Sequence, residues 1–142
     1  MFREIRGIEQ RRVGELRRWF QDEWFDLFFV AADGRLRWFQ LCYRRDTPFE
    51  RVLEWKRGRG FMHMKVRQPK HAADREDGVL LSDGRMPYDD VIAKFRQAAD
   101  GLPPEIAGFI AEKVRQYAHP DRRFRPRGAR TPRWLARLRA TL

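Results

Sequence analysis

Residues 24–43 have the sequence WFDLFFVAADGRLRWFQLCY. Two apolar runs flank Asp33-Gly34, and a two-residue Asp-Gly loop needs positive φ at both positions, which these residue types tolerate better than most. The pattern therefore predicts a β-hairpin in which Ala32 pairs with Arg35. Because side chains alternate across a strand, this register divides the hairpin into two faces.

The two faces of the predicted hairpin differ in composition. We expect the first to face the core, because it is almost wholly apolar: Phe25, Leu27, Phe29, Ala31, Leu36, Trp38, Gln40 and Cys42. The second is aromatic yet charged, and it carries Trp24, Asp26, Phe28, Val30, Arg37, Phe39, Leu41 and Tyr43. Either other segments cover this second face or it binds a partner or ligand, for which the candidates are Trp24, Phe28, Arg37, Phe39 and Tyr43.

The neighbouring segments extend the sheet. Residues 1–23 fit either a helix or edge strands, and their two glycines favour strands that pair with the central hairpin. Residues 50–66, ERVLEWKRGRGFMHMKV, predict a second hairpin with Gly58-Arg59 as its loop. That register places Glu54 opposite His63, whereas a loop shifted by Gly60 would dissolve this pair and exchange the faces. Residues 79–81 predict a last short strand.

Two amphipathic helices follow. The first begins near Pro87 and ends at Gly101, and the second begins at Pro103-Pro104 and ends at Pro120. Each has an apolar stripe that needs a surface to cover. The sequence thus predicts an α+β fold in one domain, residues 1–120. It comprises an antiparallel sheet of about four to six strands, built on consecutive hairpins, with two C-terminal helices packed on one face.

Most of the positive charge lies at the end of the chain. The formal net charge is +11, but residues 1–118 contribute 23 Lys or Arg against 19 Asp or Glu. Residues 121–142 form a basic segment, predicted to be mobile, with eight arginines: Arg122, Arg123, Arg125, Arg127, Arg130, Arg133, Arg137 and Arg139. Arginine binds phosphates bidentately and stacks on bases, so these residues are the candidates for contact with nucleic acid or another polyanion.

Motifs of the common enzyme classes do not occur. There is no Walker sequence, dinucleotide fingerprint or nucleophile elbow, and the polar loop predicted at residues 67–78 has no known metal-ligand spacing. The sequence therefore predicts neither a cofactor nor a metal. Glu54 beside His63, with Asp26 near them, is the weak catalytic candidate, since a carboxylate beside an imidazole can orient a general base.

The cellular compartment is predicted from the lack of a signal peptide and of a membrane-spanning run, and from the single cysteine. The start of the chain lacks the apolar core of a signal peptide, and no apolar run is long enough to span a membrane. Cys42 has no partner for an internal disulfide, and the hairpin register places it on the core face. These features predict a cytoplasmic protein without a transmembrane segment.

Five blocks occur in an order that resembles a family of small uncharacterised proteobacterial proteins. They are RRWF (17–20), DLFF (26–29), FQLCY (39–43), LEWKRGRGF (53–61) with His63, and LLSDG (80–84). The resemblance covers roughly residues 5–118 and stops before the basic segment. It implies a bacterial cytoplasmic protein with a compact α+β domain. It implies no established activity, so no functional residue is carried over.

Two functional hypotheses follow. The first is a non-catalytic binding module whose Arg-rich segment contacts nucleic acid or another polyanion and whose aromatic face binds a partner or a second copy of the chain. The second is an enzyme or small-ligand-binding protein with a pocket on the aromatic face near Glu54 and His63.

Overall fold

The computed structural model describes residues 1–66, 80–82 and 85–120. Seven strands precede two helices along the chain. The strands are β1 (Arg3–Ile5), β2 (Glu15–Gln21), β3 (Phe25–Ala32), β4 (Arg35–Tyr43), β5 (Arg51–Lys56), β6 (Gly60–Val66) and β7 (Leu80–Ser82). The helices are α1 (Tyr88–Ala98), which continues into a 3₁₀ turn at Ala99–Gly101, and α2 (Pro104–Ala118).

The sheet is an antiparallel meander. Every strand pairs with its neighbour in the chain, so the spatial order is the sequence order from β1 to β7. The predicted α+β class, the consecutive hairpins and the two C-terminal helices are confirmed. Residues 1–23 contribute strands, as their glycines favoured, and the three-residue β1 brings the sheet to seven strands.

The central hairpin has the predicted loop but a different register beyond it. Asp33 and Gly34 have φ of 55° and 70°, and Ala32 pairs with Arg35. A β-bulge then adds one residue to β4, because Val30 pairs with Trp38 whereas Ala31 pairs with Leu36. Arg37 is the extra residue. From Trp38 onward, every β4 side chain lies on the face opposite to the one predicted.

The second hairpin also differs from the predicted register. Its loop has three residues, 57–59, since Lys56 pairs with Gly60. Gly58 within this loop and Gly60 directly after it have φ of 81° and 90°, left-handed conformations that glycine adopts without strain. The register therefore slips by one, and Leu53 rather than Glu54 lies opposite His63. The predicted Glu54–His63 pair is wrong, because the two residues lie on opposite faces of the sheet.

Both helices bury their apolar side chains against one face of the sheet, which we call the helix face. The sheet contributes Phe20, Phe25, Leu27, Phe29, Phe39, Leu41, Tyr43, Leu53 and Trp55, and the helices contribute Val91, Ile92, Phe95, Ala98, Ile110 and Val114. Phe2 joins this core, and its N–H donates to the carbonyl oxygen of Ala98 at 3.0 Å. Within the described ranges, no helix has the length and apolar character needed to cross a membrane.

Candidate functional site

The face opposite the helices, which we call the far face, carries three aromatic side chains on adjacent strands. Trp19 lies on β2, Phe28 on β3 and Trp38 on β4, and we call these three residues the aromatic row. Trp19 is directly opposite Phe28, and the rings of Phe28 and Trp38 meet edge to face with centroids 5.3 Å apart. All three side chains are half-buried, so each keeps part of its surface open to solvent.

Two carboxylates fix the orientation of the indole rings. Trp19 Nε1 donates to Asp26 Oδ1, and Trp38 Nε1 donates to Glu54 Oε1 at 3.0 Å. Glu54 is buried and also accepts from Gln40 Nε2 at 3.2 Å. Because both indole N–H groups are occupied within the sheet, the rings present mainly their π-surfaces to a ligand rather than a hydrogen-bond donor.

Cations surround the aromatic row. The guanidinium of Arg17 lies 5.2 Å from the centroid of Phe28, and Lys56 Nζ lies 5.6 Å from the Trp38 ring. Lys56 also forms an ion pair with Glu54 at 3.5 Å, which offsets the charge of that buried carboxylate. The strand register places Arg3 and Arg35 on the same face, where both are exposed. The far face thus combines oriented rings with these four cationic side chains and with three carboxylates, those of Glu15, Asp26 and Glu54.

The other half of the far face is an apolar cluster. Val52, Met62 and Met64 are buried there and pack with half-buried Cys42. Cys42 was predicted on the core face, but the β4 bulge places it here. Burial, with smaller contributions from the negative charges of Asp26 and Glu50, raises the pKa of the Cys42 thiol to about 12.

A raised thiol pKa has a direct chemical consequence. We expect Cys42 to react with iodoacetamide at pH 8 at least about 100-fold more slowly in the folded protein than in the urea-unfolded chain, since only the thiolate is nucleophilic. Alkylation followed by mass spectrometry measures the rate for the folded protein and, in a parallel reaction with urea, for the unfolded chain. A folded rate within about tenfold of the unfolded rate would contradict the placement of this thiol.

The residues predicted for the aromatic face lie on both faces of the sheet in the structure. Phe28 and Asp26 lie on the far face as predicted. Phe39 and Tyr43 are fully buried on the helix face, so their prediction as ligand-face residues is wrong, and the bulge is the reason. Trp24 also lies on the helix side, with Lys94 of α1 4.8 Å above its ring.

Arg37 occupies the bulge itself. Its side chain is exposed and donates to Asp33 Oδ2 at 3.1 Å, across the hairpin loop. It therefore belongs to the end of the hairpin rather than to the aromatic row.

His63 belongs to a buried polar cluster on the helix face. Its side chain is 3% exposed, and Nε2 shares a hydrogen bond of 2.8 Å with the Tyr43 hydroxyl. The Tyr117 ring lies 5.5 Å from the imidazole on the side of α2. Glu54 and Asp26 lie on the other face of the sheet, so the three weak catalytic candidates do not meet.

Sequence reasoning missed two members of the aromatic row. Trp38 was predicted on the core face because no residue type near Arg37 indicates a β-bulge. Trp19 was left unassigned because residues 1–23 fitted two structures. The informative signal was Gln40, an amide in the middle of the predicted core face, which would have been buried without a partner in the regular register.

Two predictions fall on residues outside the described ranges. The eight arginines of residues 121–142 lie there, and so do residues 67–78, which were predicted to form a polar loop. Among the residues that the structure does describe, no group of three or more His, Cys, Asp or Glu side chains is placed to hold a metal ion.

Comparison of the chain with protein-family models, with curated proteins and with solved structures finds no match. The resemblance to a proteobacterial family therefore stays a prediction. Functional inference has to start from the chemistry of the far face.

Proposed function

We propose that this protein is a binding module for single-stranded nucleic acid and that bases stack on the aromatic row. The observation that carries the proposal is the placement of Trp19, Phe28 and Trp38 on three adjacent strands of one face. Adjacent strands are about 4.8 Å apart, so the row extends roughly 10 Å. Sheets that bind single-stranded RNA use surface aromatic residues in this way, with two or three bases stacked per sheet.

The fixed indole rings support this proposal. A ring that is already oriented loses little conformational freedom when a base stacks on it, so more of the stacking free energy appears as affinity. Asp26 and Glu54 supply that orientation through the indole N–H groups. Every nucleobase has a π-face, which means that this surface would bind with little sequence preference.

The distribution of charge also favours a polyanion. Arg17 and Lys56 adjoin the row, and Arg3 and Arg35 are exposed on the same face. The eight arginines of residues 121–142 would add phosphate contacts that carry no sequence information. The proposal includes a cytoplasmic location, where RNA and reduced thiols are both found.

Anisotropy titrations with fluorescein-labelled U12 RNA and T12 DNA test the proposal. With the full chain, we expect Phe28→Ala to weaken binding by about 5- to 100-fold, since one base–aromatic stack contributes about 1–3 kcal/mol. Phe49→Ala is the matched control, because Phe49 is 63% exposed and lies in the turn between β4 and β5. The control should change the affinity less than twofold.

Repeating the titrations at 50 and 200 mM salt separates stacking from phosphate contacts. Phe28→Ala should lower the affinity at both salt concentrations and leave the salt slope unchanged, because it removes no charge. If Phe28→Ala leaves the affinity unchanged, binding does not use the aromatic row, and the proposal for the far face is overturned. If sedimentation velocity instead shows a dimer that Phe28→Ala dissociates, the aromatic row pairs two copies of the chain.

A further inference from the structure

A cavity lies between the start of α1 and the end of α2, away from the far face. Its volume is about 450 Å³. Sites for small organic ligands commonly have volumes of 300–1,000 Å³, so this cavity is of the right size. Its lining consists of Arg85, Met86, Tyr88, Tyr117, Ala118 and His119.

Packing holds the aromatic walls of this cavity in place. The rings of Tyr88 and His119 meet edge to face with centroids 4.8 Å apart. The Tyr117 ring packs against Phe61 at 5.6 Å and against His63 at 5.5 Å. Met86 is buried and adds a polarizable apolar contact. These walls suit a flat aromatic ligand, because stacking and edge-to-face contacts with the tyrosines need no rearrangement of the core.

The lining of the cavity carries a permanent positive charge, the guanidinium of Arg85. Arg85 is exposed and forms no ion pair with the described residues, and the imidazole of His119 is also exposed. Among the described lining residues there is no carboxylate. A guanidinium donates two parallel hydrogen bonds to a carboxylate, sulfonate or phosphate. A ligand with such a group would therefore gain affinity from the charge pair and a fixed orientation from the two hydrogen bonds.

From this combination we propose that the cavity binds a small aromatic anion, whose ring lies against the tyrosines and whose acidic group pairs with Arg85. The site is independent of the aromatic row, since its residues come from α1, α2 and the residues directly flanking them. The loss of either site would leave the other intact.

The dye 1-anilinonaphthalene-8-sulfonate is a suitable probe, because it is an aromatic anion that fluoresces in apolar sites. We expect saturable binding of one dye per full-length chain. Benzoate and phenyl phosphate should displace it, and their relative potency tells which acidic group the site prefers. Benzamide, which has the ring without the charge, should displace it at least tenfold less well. Phe28→Ala should leave all these values unchanged.

Two variants locate the probe. Arg85→Gln should weaken binding about tenfold, as expected when a charge-assisted hydrogen bond is lost at a partly exposed site. Arg96→Gln, which removes an exposed arginine of α1 outside the cavity lining, is the matched control and should change binding less than twofold. Ala118→Phe fills the cavity and should abolish saturable binding while the near-ultraviolet circular dichroism confirms a folded core. No saturable binding, or binding that survives both Arg85→Gln and Ala118→Phe, would overturn the proposal.

Discussion

Replacement of Phe95 by alanine is expected to lower the free energy of unfolding by about 3–5 kcal/mol, the usual cost of deleting a buried phenylalanine. Phe95 is 1% exposed, and its ring lies 5.9 Å from both Phe2 and Phe25. It therefore joins three segments: α1, the N-terminal segment and the sheet. The substitution leaves a cavity at their junction, which surrounding rings can fill only by leaving their own contacts.

Urea unfolding monitored by circular dichroism measures this loss. Phe49→Ala is the control, since an exposed phenylalanine should change the free energy of unfolding by no more than about 0.5 kcal/mol. The double variant with Phe2→Ala then tests the junction directly, because rings in contact should show a coupling free energy of about 0.5–1.5 kcal/mol. Additive losses would mean that Phe2 does not dock on α1.

The second large effect is expected at Gly101, at the end of the 3₁₀ turn. A Cβ at this position would overlap the carbonyl oxygen of Phe2 and lie 2.7 Å from its carbonyl carbon. Both atoms belong to the backbone, so no side-chain rotation relieves the overlap. Gly101→Ala should therefore displace the N-terminal segment and lower the free energy of unfolding by about 3 kcal/mol. This value adds the free energy of burying the Phe2 side chain to that of its hydrogen bond with Ala98.

Gly108 provides the matched control for Gly101. It is exposed within α2, and a Cβ there would have no heavy atom within 4 Å. Gly108→Ala should raise the free energy of unfolding by about 0.5–1 kcal/mol, because alanine favours the helix interior. The same urea titrations measure both variants. If Gly101→Ala leaves the free energy of unfolding unchanged or raises it, the close approach of Phe2 to Gly101 is wrong.

The elements themselves were predictable because their signals are local. Asp33-Gly34 selects a two-residue hairpin loop, and the prolines at positions 87, 103 and 120 lie at the ends of the helices. Each of these signals acts on backbone dihedral angles within a few residues. A single sequence therefore sufficed for the α+β class and for the helix-covered sheet.

The faces of the sheet were not predictable in the same way, because a bulge or a third loop residue is selected by packing elsewhere. The bulge at Arg37 brings Phe39, Leu41 and Tyr43 under the helices and places Gln40 where it donates to Glu54. The three-residue loop likewise brings His63 to the Tyr43 hydroxyl. The gains from the bulge depend on α1, α2 and the neighbouring strands together, and no local window of sequence contains them. The second hairpin had a local signal in Gly60, which left two registers open, and the structure has the shifted one.

The docking of Phe2 on α1 has a consequence for the order of events during synthesis. Each hairpin of the meander needs only residues that are close in the chain, so the hairpins can form within microseconds of leaving the ribosome. Phe2 is made long before Ala98, its hydrogen-bond partner. At about 5–20 residues per second, several seconds separate the two. During that interval the three-residue β1 pairs with β2 without its final anchor, so the edge of β2 is more accessible to other chains than in the folded protein. β1 thus precedes the other strands of this meander in the chain and yet is among the last of them to be fixed.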